Sequence, residues 1–159
     1  MGLSIYTTHT DKDISWGYHT LHIVRDLALQ SCGVNKELCS IIRSCYSGKV
    51  DIVRFLMAFH PEIDIKSSDF SGMQLAGYYY PNLLFHSDCE GDYTYRGRVM
   101  TDKYWKTGNI KQLKKELEDL LERSEDIDNN SAKQYAQELY DLVKAECESS
   151  KYPRIYFKG

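Results

Sequence analysis

The sequence predicts a single α+β domain over residues 1-159, with four or five helices and a small sheet pairing the N- and C-terminal strands. Three observations carry that expectation. Leu3 and Ile5 alternate with Ser4 and Tyr6 at the start of the chain, the two-residue period of a half-buried strand. Arg154-Ile155-Tyr156-Phe157 gives a second strand signal at the far end. Between them, apolar residues recur mainly at the three- and four-residue spacing of amphipathic helices. A chain of 159 residues hides roughly 70% of its extended surface on folding, so a core forms without covalent staples.

The elements follow in order. Thr7 to Ser15 is polar and reads as a turn. Tyr18, Leu21, Val24 or Arg25 and Ala28 then make a helical stripe, with Ser15 as its N-cap and Gly33 as its stop. A second helix starts from Asn35 as cap and buries Leu38, Ile41, Ile42 and Cys45. Val50 to Phe59 has helical spacing until Pro61 ends it. Residues 62 to 82 show no clean period: Ile63 and Ile65 suit an edge strand or a loop, and Gly72, Gly77 and Pro81 punctuate the rest. Tyr78-Tyr79-Tyr80 is either a packed flap or an exposed surface. Leu83-Leu84-Phe85 looks buried and strand-like, and residues 92 to 108 read as a hairpin or ordered excursion. Asn109 caps a helix with Leu113, Leu117, Leu120 and Leu121 inside. Ser131 and Gln134 form a capping box for the next, and the short polar linker between them makes the two helices antiparallel neighbours.

Charge and cysteine usage exclude several classes. Twenty Lys and Arg against 23 Asp and Glu give a net charge of -3, the wrong sign for a protein whose main partner is a nucleic-acid backbone. The longest apolar stretch, Ile52 to Phe59, carries Arg54 and falls short of the roughly 18 residues a membrane span needs. Neither a secretory signal nor a myristoylation signal opens the chain, since Tyr6 stands where the latter wants Ser or Thr. Five cysteines, odd in number and without a CxxC pair, favour reduced thiols over a disulfide framework or a cysteine-rich zinc site. The expectation is a cytoplasmic protein. Residues 109 to 151 hold 11 acidic and 7 basic side chains, which suits solvated helix faces or a surface steering a basic partner.

The densest chemistry lies in His86-Ser87-Asp88-Cys89-Glu90-Gly91-Asp92. Asp88, Glu90 and Asp92 have the alternating oxygen spacing that opens a calcium loop, but Tyr93 and Val99 stand where that loop needs Gly and Glu. A nucleophile at Ser87 or Cys89 would need a positioned base. His86 is adjacent to Ser87, and no glycine-flanked elbow or oxyanion hole is marked. The reading preferred here is a structural turn, with Ser87 and Asp88 accepting backbone N–H groups and Gly91 supplying positive φ. No catalytic residue, metal or cofactor is expected. His19 and His22 read as helix-surface residues, and no phosphate-cradling glycine loop occurs.

Leu83-Leu84-Phe85-His86-Ser87-Asp88-Cys89-Glu90-Gly91, with the opening Met1 to Tyr6 and the Tyr18-His19 helix start, resembles a group of small uncharacterised bacterial and phage proteins. In that group a His-Ser-Asp-Cys-Asp-Gly segment precedes two helices and a short terminal strand. The resemblance covers about half the chain and implies a cytosolic bacterial or phage domain, with no activity attached. Glu90 departs from the group's Asp. The tyrosine-rich stretch from Asp92 to Gly108 stands where the group enters a helix bearing another cysteine.

The composition's main skew is 13 Tyr. Tyr93, Tyr95, Arg96, Tyr104 and Trp105 combine aromatic area with fixed charge, the residue types favoured as anchors in protein interfaces. Two functions follow. The preferred one is a protein-interaction or inhibitor-type module, immunity-like or counter-defence, with those five residues in contact. The alternative is a small-ligand binder or hydrolase that uses His86 to Asp92 at the rim of a pocket.

Overall fold

The computed structural model describes residues 2–7, 10, 12–17, 19–46, 58, 61–62, 64–84, 87–95, 98–106 and 109–158, of which 42–46, 87–95, 98–106 and 158 are described as backbone alone. The architecture is α+β. In chain order the elements are β1 (Gly2–Thr7), β2 (Asp13–Gly17), α1 (Thr20–Ser31), α2 (Lys36–Tyr46), α3 (Ser67–Tyr79), α4 (Pro81–Leu84), β3 (Ser87–Tyr95), β4 (Arg98–Lys106), α5 (Ile110–Arg123), α6 (Asn130–Ser149) and β5 (Ile155–Lys158). Of the helix expected over Val50 to Phe59, only Ala58 is described, and it is helical; the rest lies outside the described residues.

One antiparallel five-stranded sheet runs in the order β2-β1-β5-β4-β3. The terminal strands pair as expected, with Ile5 opposite Phe157 and Tyr6 opposite Tyr156. Strand alternation then divides the sheet into two faces. Leu3, Ile5, Ile14, Trp16, Ile155 and Phe157 are buried together with Leu21, Leu113, Leu117 and Leu139, so this face meets α1, α5 and α6. Trp16 lies edge-on to Tyr135 of α6, at 5.9 Å between centroids.

The turn expected over Thr7 to Ser15 is half a strand. Ile14 and Trp16 are buried between exposed Asp13, Ser15 and Gly17, and Ser15 pairs with Ser4. Ser15 is therefore no helix cap. His19 takes that place without a side-chain bond. Gly33 ends α1 as expected, at φ +88°. Its N–H reaches Gln30 O and that of Val34 reaches Leu29 O, the two bonds of a Schellman motif. Nothing lies within 4 Å of a Cβ added there. Gly33→Ala is expected to cost about 1 kcal/mol through backbone strain alone, read as a lower urea midpoint with an unchanged slope.

Asn35 caps α2 by accepting from Glu37 N at 2.9 Å. Residues 67–79, expected to be irregular, form α3. The buried Asp69 accepts from Lys66 N and, with its other oxygen, from Asn35 N, so one carboxylate starts α3 and anchors the approach to α2. Leu83 and Leu84 are buried as expected, but in the single turn of α4 rather than in a strand. Asn109 caps α5 through Gln112 N. The capping box at Ser131 and Gln134 is replaced by Asn129, whose side chain accepts from Ala132 N. Tyr140 Oη donates to Glu118 across the antiparallel pair α5 and α6, and Lys133 Nζ donates to the backbone carbonyl of Glu125 in the linker between them.

Candidate functional site

Residues 87 to 92 do not make a turn, and His86 lies outside the described residues. Ser87–Tyr95 is a continuous strand paired along its whole length with Arg98–Lys106, from Ser87↔Lys106 to Tyr95↔Arg98. The acidic and hydroxyl side chains suggested turn chemistry when read alone. A partner strand gives the same backbone groups ladder bonds instead. The hairpin expected over 92 to 108 is present and begins five residues earlier.

This hairpin belongs to the sheet only at its base. β5 meets β4 at Trp105↔Phe157 and Lys106↔Tyr156. Of the nine β3–β4 pairs, the seven from Cys89↔Tyr104 to Tyr95↔Arg98 lie beyond those two rungs. Six steps of about 3.3 Å carry this two-stranded ribbon roughly 20 Å past its last rung with β5, while β1 and β2 continue in the same direction to Gly2↔Gly17.

The rungs sort its residues. Ile14, Ile5, Phe157, Trp105 and Asp88 form one rung across all five strands, and Asp13, Tyr6, Tyr156, Lys106 and Ser87 form the next. Alternation puts Asp88, Glu90 and Asp92 in the register set of Phe157, the helix-covered side, with Trp105 and Lys103 opposite the first two. Ser87, Cys89, Tyr93, Tyr95 and Tyr104 fall in the set of Tyr6 and Tyr156. The tyrosine excess is thus partly one register set running from β1 to the ribbon tip. Of the expected contact residues, Tyr93, Tyr95 and Tyr104 lie on the projecting part. Trp105 belongs to a rung of the sheet body, and Arg96 and His86 lie outside the described residues.

A polar cluster ties together α4, which precedes the ribbon, and the start of α5, which follows it. Glu116 of α5, 1% exposed, accepts from Asn82 N at 2.8 Å, Asn82 Nδ2 at 2.8 Å and Leu83 N at 3.1 Å. These are donors at the start of α4, which leads into β3. Asn82 Oδ1 in turn accepts from Asn109 N at 3.1 Å, the residue through which the chain leaving β4 enters α5. From α1, the buried Arg25 donates Nε–H to Leu83 O at 2.9 Å. Burial pushes the Glu116 carboxyl above its ordinary range, against the hydrogen bonds from Asn82 and Leu83. The sequence reading passed over Glu116 and Asn82. The signal for Glu116 was present, since it stands one step before Leu117 and three after Leu113 on the inner stripe of α5. A charge at such a position is buried and must be bonded.

A second polar cluster sits where α1, α3 and α5 end. Tyr80 Oη and Ser31 Oγ lie 3.1 Å apart, and the Arg123 guanidinium stacks 3.4 Å over the Tyr79 ring. The tyrosine triplet thus divides: Tyr78 is 77% exposed and Tyr80 fully buried. Burial raises both the Cys32 thiol and the Tyr80 phenol, so neither is an activated nucleophile at neutral pH. Between α1, α4, α5, α6 and β5, a cavity of about 10 Å³ is lined by Leu21, Arg25, Asn82, Leu83, Leu113, Leu139 and Phe157. That is room for one water and not for a metabolite. Among the described residues, no three His, Cys, Asp or Glu side chains are grouped to hold a metal. None of the helices described is long and apolar enough to cross a membrane.

No family model, curated protein or solved structure matches this chain.

Proposed function

We propose that this protein is an interaction module of the inhibitor type, with the β3–β4 ribbon as its contact element. The observation that carries this reading is the ribbon's projection, seven register pairs past the last rung shared with β5. An isolated two-stranded ribbon is marginal in water. Here the segments before and after it, at Asn82–Leu83 and Asn109, are tied to one another and to the helices by Glu116, Asn82 and Arg25, which supports a presented element. Its composition suits a protein partner. Tyr93, Tyr95 and Tyr104 supply rigid aromatic area. Residues 87 to 106 hold Arg96, Arg98, Lys103 and Lys106 against Asp88, Glu90, Asp92 and Asp102, four of each sign. A neutral ribbon gains little from a polyanion, since phosphate binding draws on released counterions.

The test is affinity capture from the cell of origin with the wild type and a Tyr93→Ala/Tyr95→Ala variant. A defined protein retained by the wild type and lost by a variant that still melts cooperatively at the same temperature is the expected result. A nucleotide or metabolite co-purifying at one equivalent per chain, with no macromolecule, would replace this reading with a ligand-binding one.

A further inference from the structure

We infer that the outer edge of β3 takes up an extended strand of the partner protein, one whose alternate residues are basic. This inference rests on the interaction reading and adds the partner's chemistry to it. β3 stands at the end of the strand order, and its only strand neighbour among the described residues is β4. Among the described residues, nine consecutive positions of β3 therefore have one side of their backbone without a sheet partner. Such an edge is a template for another strand, and proteins guard it against the wrong one with charge. Main-chain bonds then give affinity, while alternate side chains give specificity.

The guard is specific here. Asp88, Glu90 and Asp92 recur every second residue, so they occupy one register set. Pairing β3 with β3 of a second copy about a two-fold axis centred on Glu90 puts Glu90 opposite Glu90 and Asp88 opposite Asp92. Like charges directly opposite oppose pairing, so self-association is disfavoured. Within the ribbon, only Glu90 has a cation across from it, Lys103. Asp88 faces Trp105 and Asp92 faces Thr101. An incoming strand with Lys or Arg at every second position supplies the missing opposite charges. Its intervening residues fall in the set of Cys89, Gly91 and Tyr93, where small or apolar side chains fit. The resulting partner pattern is basic-apolar-basic-apolar-basic in extended conformation.

Synthetic peptides test this on the full chain. The first alternates lysine with valine or threonine. The second has the same composition with its lysines contiguous. Two more carry backbone N-methyl groups on either alternate set of the first, which removes strand donors without changing charge. Fluorescence anisotropy should show the first peptide binding about tenfold tighter than the second and than one of the N-methylated pair. An Asp88→Asn/Glu90→Gln/Asp92→Asn variant, shown to be folded by its melting curve, should lose about tenfold for the first peptide. Equal binding of the alternating and contiguous peptides, or of both N-methylated forms and the parent, overturns strand addition. Absence of binding by the first peptide overturns it too. If the neutral variant still captures a partner that Tyr93→Ala/Tyr95→Ala loses, strand addition fails while the interaction reading stands. If the wild type captures no defined protein, the interaction reading fails by itself.

Discussion

Glu116→Ala should be the most damaging single substitution among the described polar residues, lowering stability by about 3 to 5 kcal/mol. It leaves Asn82 N, Asn82 Nδ2 and Leu83 N without their acceptor at a site that excludes water from the carboxylate. For a domain of this size the loss corresponds to a melting point roughly 10 °C lower, read by calorimetry. Glu116→Gln should be milder, at about 1 to 3 kcal/mol, and for a specific reason. A carboxylate only accepts, whereas an amide turns two N–H groups toward neighbours that are themselves donors. Asn82 cannot reverse its own amide to compensate without releasing Asn109 N.

The pH dependence follows with its sign. Burial outweighs the hydrogen bonds and, helped by the charge of Asp119, raises the folded-state value of Glu116 above the ordinary 4.5. The folded protein then holds this proton more firmly than the unfolded chain. Its contribution to stability is complete below 4.5 and is lost as the pH rises through the raised folded value. The stability difference between wild type and Glu116→Gln should therefore shrink from pH 4 to neutrality, as measured by urea unfolding. A difference that grows over that interval would show that the hydrogen bonds dominate instead.

The second large effect lies in α3. A Cβ at Gly72 would stand 2.8 Å from the Cys32 carbonyl oxygen, 2.8 Å from Val34 Cγ2 and 3.1 Å from Val34 N. Two of those atoms belong to the Schellman turn and cannot swing aside. Alanine in a helix gains about 1 kcal/mol over glycine, while overpacking costs about 1 to 3 kcal/mol. Gly72→Ala should thus come out moderately destabilising. Gly72→Val should lose about 2 to 4 kcal/mol, because branching adds atoms at the same contact without the helical gain. Parallel urea curves for the two variants decide the order, and a stabilised Gly72→Ala would show that α3 can back away from the α1–α2 turn.

Some of this was legible in residues. The strands at both ends, the helices α1, α2, α5 and α6, the Asn35 and Asn109 caps and the stop at Gly33 all rest on interactions within a few positions. Other features were hidden for identifiable reasons. The inner stripe of α3 is intact at Asp69, Gly72, Met73 and Ala76, spaced three, one and three apart, but it is built from small and charged residues. Hydropathy therefore shows no period, although the geometry does. In β2, Ile14 and Trp16 alternate over five residues only, too briefly to outweigh the polar residues around them. Ser87 to Asp92 carries turn-forming side chains, and only the partner strand Arg98 to Lys106 decided that its backbone is extended.

The sequence by itself determined the fold class and the strand at each chain end, because periodicity and capping are local and each element records its own buried face. The tertiary structure alone decided what those elements present. Glu116, Asn82 and Arg25 come from three helices and meet only when α1, α4 and α5 pack. Which sheet face Asp88, Glu90 and Asp92 share, and that Tyr104 falls in the opposite set, depends on the register with β4 and β5. Register is a relation between distant segments, and a slip of one residue exchanges the two faces. No local pattern in either strand specifies it.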